Sequence, residues 1–179
     1  MDEGAWVSLF SGGKDSSWTL YQALNEGLSV ERLLTVHPEG DSYLYHVPAT
    51  ELASLAAKSI GIELVEVRLD AFDAESTVDA SEQGDAELDV IENALSELDD
   101  ELTDGITGVT AGAVESEFQH SRIQAMSDRL GIETFAQIWQ RNPREIAAEM
   151  LAAGFEITII RVAAGGLDES WLGRTLDAE

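Results

Sequence analysis

An apolar run from Ala5 to Phe10 breaks at Ser11-Gly12-Gly13, and helical spacing begins directly behind Lys14-Asp15-Ser16. This order constrains the fold more than any other feature of the chain. A strand that enters a glycine-rich turn and opens a helix makes a concave ring of backbone N–H groups, with the positive end of the helix dipole pointing into it. Such a ring suits a phosphate-bearing ligand. Gly12 and Gly13 permit close backbone approach and positive φ. The hydroxyls of Ser11, Ser16 and Ser17 add donors, and Lys14 adds a point charge. Lysine occurs only at positions 14 and 58, so one of the two stands in this turn. The spacing departs from G-x-x-x-x-G-K-[ST], so hydrolysis in the manner of a GTPase is not what it predicts.

Behind this unit the pattern keeps alternating. Strands are expected at Trp6–Phe10, Leu33–Val36, Ile62–Leu69, Ile106–Val109 and Phe155–Ala163. Helices are expected at Ser16–Glu26, Thr50–Ile60 with Thr50 as cap, Ala86–Leu102, Glu115–Leu130 and from Asn142-Pro143 to Gly154. Asp70 to Gly84 has little apolar periodicity and predicts a solvated loop. The carboxylates of the helix after it predict a solvated face and not a metal site. The alternation predicts an α/β fold with a doubly wound, mostly parallel sheet. Ligands on such sheets collect at the carboxyl ends of the strands, near the switch in strand order. With the first strand central, the turn at Gly112 faces the glycine-rich turn. The expected division is 1–113 as the nucleotide-binding α/β domain and 114–179 as a substrate-side region completing the core.

Composition narrows the partners. Ten basic residues face thirty-five acidic ones, for a formal charge of −25. Self-repulsion on that scale opposes compaction at low salt and fades at molar salt, where the Debye length falls to about 3 Å. A halophilic cytoplasm accounts for it. No basic stripe is visible, so no nucleic-acid partner is expected. No apolar stretch approaches the length of a membrane span, and the acidic N-terminus enters the first strand too soon for a signal peptide, so a cytoplasmic location without membrane contact is expected. The absence of cysteine removes thiolate metal sites and any thiol nucleophile. The sequence leaves homo-oligomerisation open.

A second polar constellation follows the fourth strand. Ser116, Gln119 and Arg122 recur every three residues and share one helical face. A hydroxyl, an amide and a guanidinium suit a ligand bearing carboxylate or phosphate, though a capped helix with a polar side would look the same.

The order Ser-Gly-Gly-Lys-Asp-Ser resembles the pyrophosphate loop of the PP-loop ATP pyrophosphatases, whose fold is Rossmann-like. Taken with Gly112–Arg122, Asp41–His46, Ile138-Trp139 and the tail from Gly165 to Arg174, the chain resembles the diphthine–ammonia ligase family in order along nearly its whole length. That resemblance implies ATP and Mg²⁺ at Ser11, Gly12, Gly13, Lys14, Asp15, Ser16 and Ser17, with Gly112 opposite; Asp15 either orients the metal or caps the helix. It implies adenylation of the diphthine carboxylate on translation elongation factor 2 and displacement of AMP by ammonia. Backbone amides, Lys14 and Mg²⁺ would stabilise the departing pyrophosphate, with Ser116, Gln119 and Arg122 around the adenylate carbonyl. His46, Glu115 and Trp139 are the implied substrate-side residues. His46 is preferred to His37 and His120 as a proton carrier, and for Trp139 packing is preferred to a stacking platform. Without a thiol the chain cannot run a glutaminase step, so ammonia is expected from solution or a partner. Relatives usually carry Tyr where Phe118 stands and often carry Glu where Gln124 stands. They run on past the position of Glu179 into a Gly-Glu-Gly-Gly-Glu motif, giving the expectation of a short C-terminal substrate-side appendage in which ATP binding survives without that motif. The alternative function is an ATP/AMP-binding module without ligase activity; a transfer RNA-modifying adenylating enzyme is disfavoured by charge and the missing cysteines.

Overall fold

The computed structural model describes residues 4–38, 52–69, 80–113, 116–162, 166 and 168–177. Strand and helix alternate as β1 (Ala5–Leu9), α1 (Lys14–Asn25), β2 (Val30–Pro38), α2 (Ala53–Ile60), β3 (Glu63–Leu69), α3 (Ala80–Glu101), β4 (Ile106–Thr110), α4 (Glu117–Leu130) and β5 (Glu133–Phe135). The five strands form one sheet in the order β3-β2-β1-β4-β5, and every pairing is parallel. The chain steps outward from β1 to β3, then returns and steps the other way through β4 to β5. Right-handed crossovers therefore place α1 and α2 on one face and α3 and α4 on the other.

Two cores match that division. Trp6, Phe10 and Leu33 pack with Leu20 and Ala23 of α1 and with Ala53 and Ala57 of α2. Val7, Leu9, Leu34, Val36 and Val109 pack with Leu88, Ile91, Leu95 and Leu98 of α3 and Met126 of α4. Alternation along β1 and β2 thus sends side chains to both faces, which is why these strands read as continuous apolar runs. Gly108 has no side chain because the Trp6 ring covers it: a Cβ there would stand 2.5 Å from the indole. The same indole meets Phe135 edge-on, with ring centroids 6.3 Å apart.

Three expectations change. The fifth strand is Glu133–Phe135, joined to β4 through Gly108↔Glu133, Val109↔Thr134 and Thr110↔Phe135; three residues are too few to show alternation. As far as residue 162, the described part of the apolar segment Phe155–Ala163 lies outside the sheet. That part is irregular, with a lone antiparallel bridge between Thr158 and Thr175. Helix α3 begins at Ala80, so the expected loop to Gly84 already contains its first turn. Thr50, the expected cap of α2, lies outside the described residues.

The chain divides into two compact units, Met1–Trp139 and Gln140–Glu179. Helix α5 (Pro143–Ala152) opens as its sequence predicts, with Pro143 at the first position and the Asn142 side chain accepting from the Arg144 amide at 2.9 Å. Arg141 pairs with Glu149 along this helix, and that hydrogen bond holds the Glu149 carboxyl below its usual value of 4.5. The Asp168 side chain caps a short 3-10 turn at Glu169–Trp171 by accepting from the Ser170 amide, and its carboxyl is lowered by the hydroxyl and amide of Ser170. Among the described residues no helix is long and apolar enough to cross a membrane.

Candidate functional site

The turn between β1 and α1 lies at the carboxyl edge of the sheet, at the point where strand order reverses between β1 and β4. Gly12 adopts φ +76°, a conformation that a side chain would strain. Gly13 is the N-cap of α1 and offers no side-chain cap. The first helical bond runs from the Ser17 amide to the Gly13 carbonyl at 3.0 Å, so the amides of Lys14, Asp15 and Ser16 precede the helical ladder. Helix α4 differs: the Ser116 hydroxyl accepts from the Gln119 amide at 3.3 Å. The start of α1, unlike that of α4, is thus left to be satisfied from outside the helix.

Serines shape the turn from within. The hydroxyls of Ser11 and Ser16 lie 3.1 Å apart, the Gly13 amide donates to Ser11 Oγ at 3.4 Å, and Ser16 Oγ donates to the Gly13 carbonyl at 3.1 Å. Lys14 Nζ contacts Asp15 Oδ1, and the lysine side chain is 48% exposed. The pair leaves the mouth of the turn with a movable cation beside a carboxylate. Gly112 approaches from the β4 side, where a Cβ would stand 2.8 Å from the Ser16 nitrogen. From β2, α2 begins close by: a Cβ on Gly12 would lie 3.6 Å from Ala53 Cα. Ser11, Gly12, Gly13, Lys14, Asp15, Ser16, Ser17 and Gly112 are therefore assembled in one place.

Buried hydroxyls underlie this assembly. Among the described residues the buried polar side chains are Ser8, Ser16, Thr19, Thr35, Thr110 and Ser127. Ser127 belongs elsewhere, with Thr134 donating to it at 2.8 Å. The other five gather where α1 meets the sheet. Thr110 donates to Ser8 at 2.8 Å, Thr19 donates to the Asp15 carbonyl at 3.0 Å, and Thr35 donates to the Phe10 carbonyl. Sequence reasoning missed this layer; the signal was a threonine inside each of the apolar runs Leu33–Val36 and Ile106–Thr110.

The second constellation resolves into local roles. Ser116 is the cap of α4, and Arg122 lies over the Phe118 ring with its guanidinium 3.7 Å from the centroid. Arg122 also lines a groove of about 390 Å³ between α3 and α4, together with Asp89, Glu92, Ser121 and Arg129. Trp139 stacks on His120 at 4.1 Å and 8° between planes. His120 Nδ1 is buried, with no hydrogen-bond partner among the described residues. His46 and Glu115 lie outside the described residues. His37 sits at the carboxyl end of β2 and meets Glu66 at 2.9 Å.

Among the described residues no group of three or more His, Asp or Glu side chains could hold a metal ion alone. A divalent cation that brings its own phosphate ligands needs only one or two protein carboxylates. Asp15 fits that demand.

The sequence model for the diphthamide synthase N-terminal domain matches residues 4–134. Diphthine–ammonia ligase of Mus musculus is 33% identical over 95% of this chain and 66% of its own length, and the Homo sapiens enzyme is 32% identical over 96% and 67%. The Saccharomyces cerevisiae enzyme is 27% identical over 96% of this chain and 28% of its own length. The chain thus spans about two thirds of the length of its mouse and human relatives. Among solved structures, a "predicted subunit of tRNA methyltransferase" from Methanocaldococcus jannaschii is similar at a TM-score of 0.55 and 21% identity, over 90% of this chain and 81% of that one. The U34-tRNA thiolase of Methanococcus maripaludis is similar at 0.52 and 16%, over 87% and 59%. These two likenesses concern the fold. From the match over most of its length, this chain belongs to the diphthamide synthase family.

Proposed function

We propose that this protein is an ATP-dependent amide ligase that converts diphthine on translation elongation factor 2 to diphthamide. The observation that carries the reading is the start of α1: it lacks a side-chain cap, stands behind a left-handed glycine, bears Lys14, and is closed from the other side by Gly112. Helix amides, two hydroxyls and one cation match the charge and hydrogen-bonding demand of a di- or triphosphate. The names of the relatives supply the reaction class.

In this reading a diphthine carboxylate oxygen attacks the α-phosphorus of ATP and the bond to the β-phosphate breaks. Pyrophosphate leaves with the electron pair. Amides of α1 and the Lys14 ammonium stabilise the charge that grows on it, the effect expected of donors fixed before the reaction begins. Mg²⁺, held by Asp15 and the phosphates, would neutralise part of the same charge. Ammonia then attacks the acyl carbon, AMP departs, and the amide's excess proton passes to solvent. Ser116, Gln119 and Arg122 form the acceptor side, residues 1–113 carry the nucleotide, and Trp139 and His120 support the substrate side as a stacked pair. We assign the enzyme to a saline cytoplasm on its charge.

The test is AMP release from ATP at molar KCl with Mg²⁺, ammonium and diphthine-bearing elongation factor 2, beside Lys14→Ala. AMP that requires both acceptor and ammonium, and that disappears in the variant, is the expected result. ATP binding without AMP under any of these conditions would replace the ligase reading with a nucleotide-binding module.

A further inference from the structure

We propose that Thr35 is a positioning residue for the phosphate loop: its hydroxyl holds the Phe10 carbonyl and so fixes where Ser11–Gly13 leaves the sheet. The inference rests on the reading that this turn receives nucleotide phosphates, but its structural part can be measured without nucleotide.

Phe10 is the last residue before the turn. The β1–β2 register ends one residue earlier, at Leu9↔Leu34. The Phe10 amide still donates to the Leu34 carbonyl at 2.8 Å. In a continued parallel ladder the Phe10 carbonyl would accept from a backbone amide of β2. Here the donor is the Thr35 side chain. A hydroxyl in place of a ladder amide lets the chain turn away from the sheet while its last buried carbonyl stays satisfied. Phe10 and Thr35 are both fully buried, so neither can swing aside to find water instead.

The opposite wall is set in the same way. Ser8 and Thr110 are register partners across β1 and β4, and their side chains are hydrogen-bonded to each other at 2.8 Å. Two residues beyond Thr110 comes Gly112, whose backbone rests against Ser16. Both sides of the cradle are therefore referenced to β1 by threonine hydroxyls. Thr35 is the one tied to the loop's own backbone. Valine has nearly the shape of threonine but donates nothing, while serine keeps the hydroxyl and loses the methyl group.

The experiment compares wild type with Thr35→Val and Thr35→Ser at molar KCl. Amide hydrogen exchange is followed without ligand, and ATP affinity is titrated in parallel. Thr35→Val is expected to speed exchange of the hydrogen-bonded amides of Phe10, Gly13 and Ser17 about tenfold and to weaken ATP about tenfold, as loss of one buried hydrogen bond allows. Amides of β4 and α4 should hold their wild-type rates, and Thr35→Ser should restore both quantities. Should Thr35→Val not fold, Thr35→Cys, a weaker donor of similar size, should fall between wild type and complete loss. Unchanged loop exchange and unchanged ATP affinity in the hydroxyl-free variant would overturn the inference. So would acceleration spread evenly over the sheet and shared by the serine variant. A wild type that protects the loop through Thr35 yet binds no ATP would sink the functional reading and leave the positioning role standing.

Discussion

The backbone of Gly112 lies against the first turn of α1 so closely that a Cβ at Gly112 would stand 2.8 Å from the nitrogen of Ser16 and 2.9 Å from the carbonyl carbon of Asp15. Backbone, not a flexible side chain, would have to give way. Gly112→Ala should therefore part the β4 turn from α1. Because the strain falls on the proposed phosphate site, ATP affinity should drop about tenfold or more, while stability falls by about 1–3 kcal/mol, the usual cost of forcing an extra methyl into a packed contact. Calorimetric titration beside thermal melting separates the two quantities. Unaltered ATP affinity would mean that this contact does not shape the site.

Ser116 has two assignments that make different forecasts. As the cap of α4 its hydroxyl accepts from the Gln119 amide, so Ser116→Ala should cost about 1 kcal/mol and Ser116→Asp, another good cap, should restore it. If the hydroxyl also serves the adenylated substrate, the aspartate variant should regain stability but not turnover. Melting and AMP release on the same two variants give the answer. Recovery of both would reduce Ser116 to a cap.

Much of this was legible in the sequence because it is local. The glycine-rich turn announces itself through Gly12, Gly13 and the lone lysine near it, and α5 through Asn142-Pro143. Gly112 was found by topology, since a central first strand must bring the turns after β1 and β4 together. The failures are of two kinds. Glu133–Phe135 is paired in the sheet only through β4, and nothing in three residues foretells that. Phe155–Ala163 has the composition of a strand, but a segment joins a sheet only where an open edge is offered in register. Thr35 was hidden for another reason. Threonine is at home in strands, and its hydroxyl acquires meaning only once the Phe10 carbonyl is placed beside it.

Salt should act on the whole molecule. With a formal charge of −25, carboxylates repel one another over distances that 0.1 M salt screens only partly. Raising KCl from 0.1 to 2 M should add about 3 kcal/mol of stability, or roughly 6–12 °C in melting temperature for a chain of this size. Surface pairs such as Arg129 with Glu92 cannot be the source, because the same salt weakens them. A melting temperature that stays flat across this range would refute self-repulsion as the main electrostatic cost.

The Arg141–Glu149 pair sets a smaller, pH-dependent increment. Its hydrogen bond lowers the Glu149 carboxyl below 4.5 in the folded protein. A group depressed by folding contributes fully above its unfolded value, and the contribution is lost as the pH falls through the folded one. Both side chains are partly exposed, at 33% and 44%, so the pair is worth no more than about 0.5 kcal/mol. Glu149→Gln should be less stable than wild type by that amount at neutral pH, and the gap should close in acid. Chemical denaturation at pH 7 and pH 3 measures it; a gap that widens on acidification would reverse the assignment.

The hydroxyl layer beneath α1 has a consequence for a protein dressed in acid. Ser8, Thr19, Thr35 and Thr110 carry no charge at any pH at which the chain is folded, so ions from the medium have nothing there to screen. The outer shell of carboxylates answers to every change in the surrounding salt, while the bed on which the proposed phosphate cradle rests is electrically silent. The shape of the cradle is thereby separated from the salt on which the stability of the whole is expected to depend.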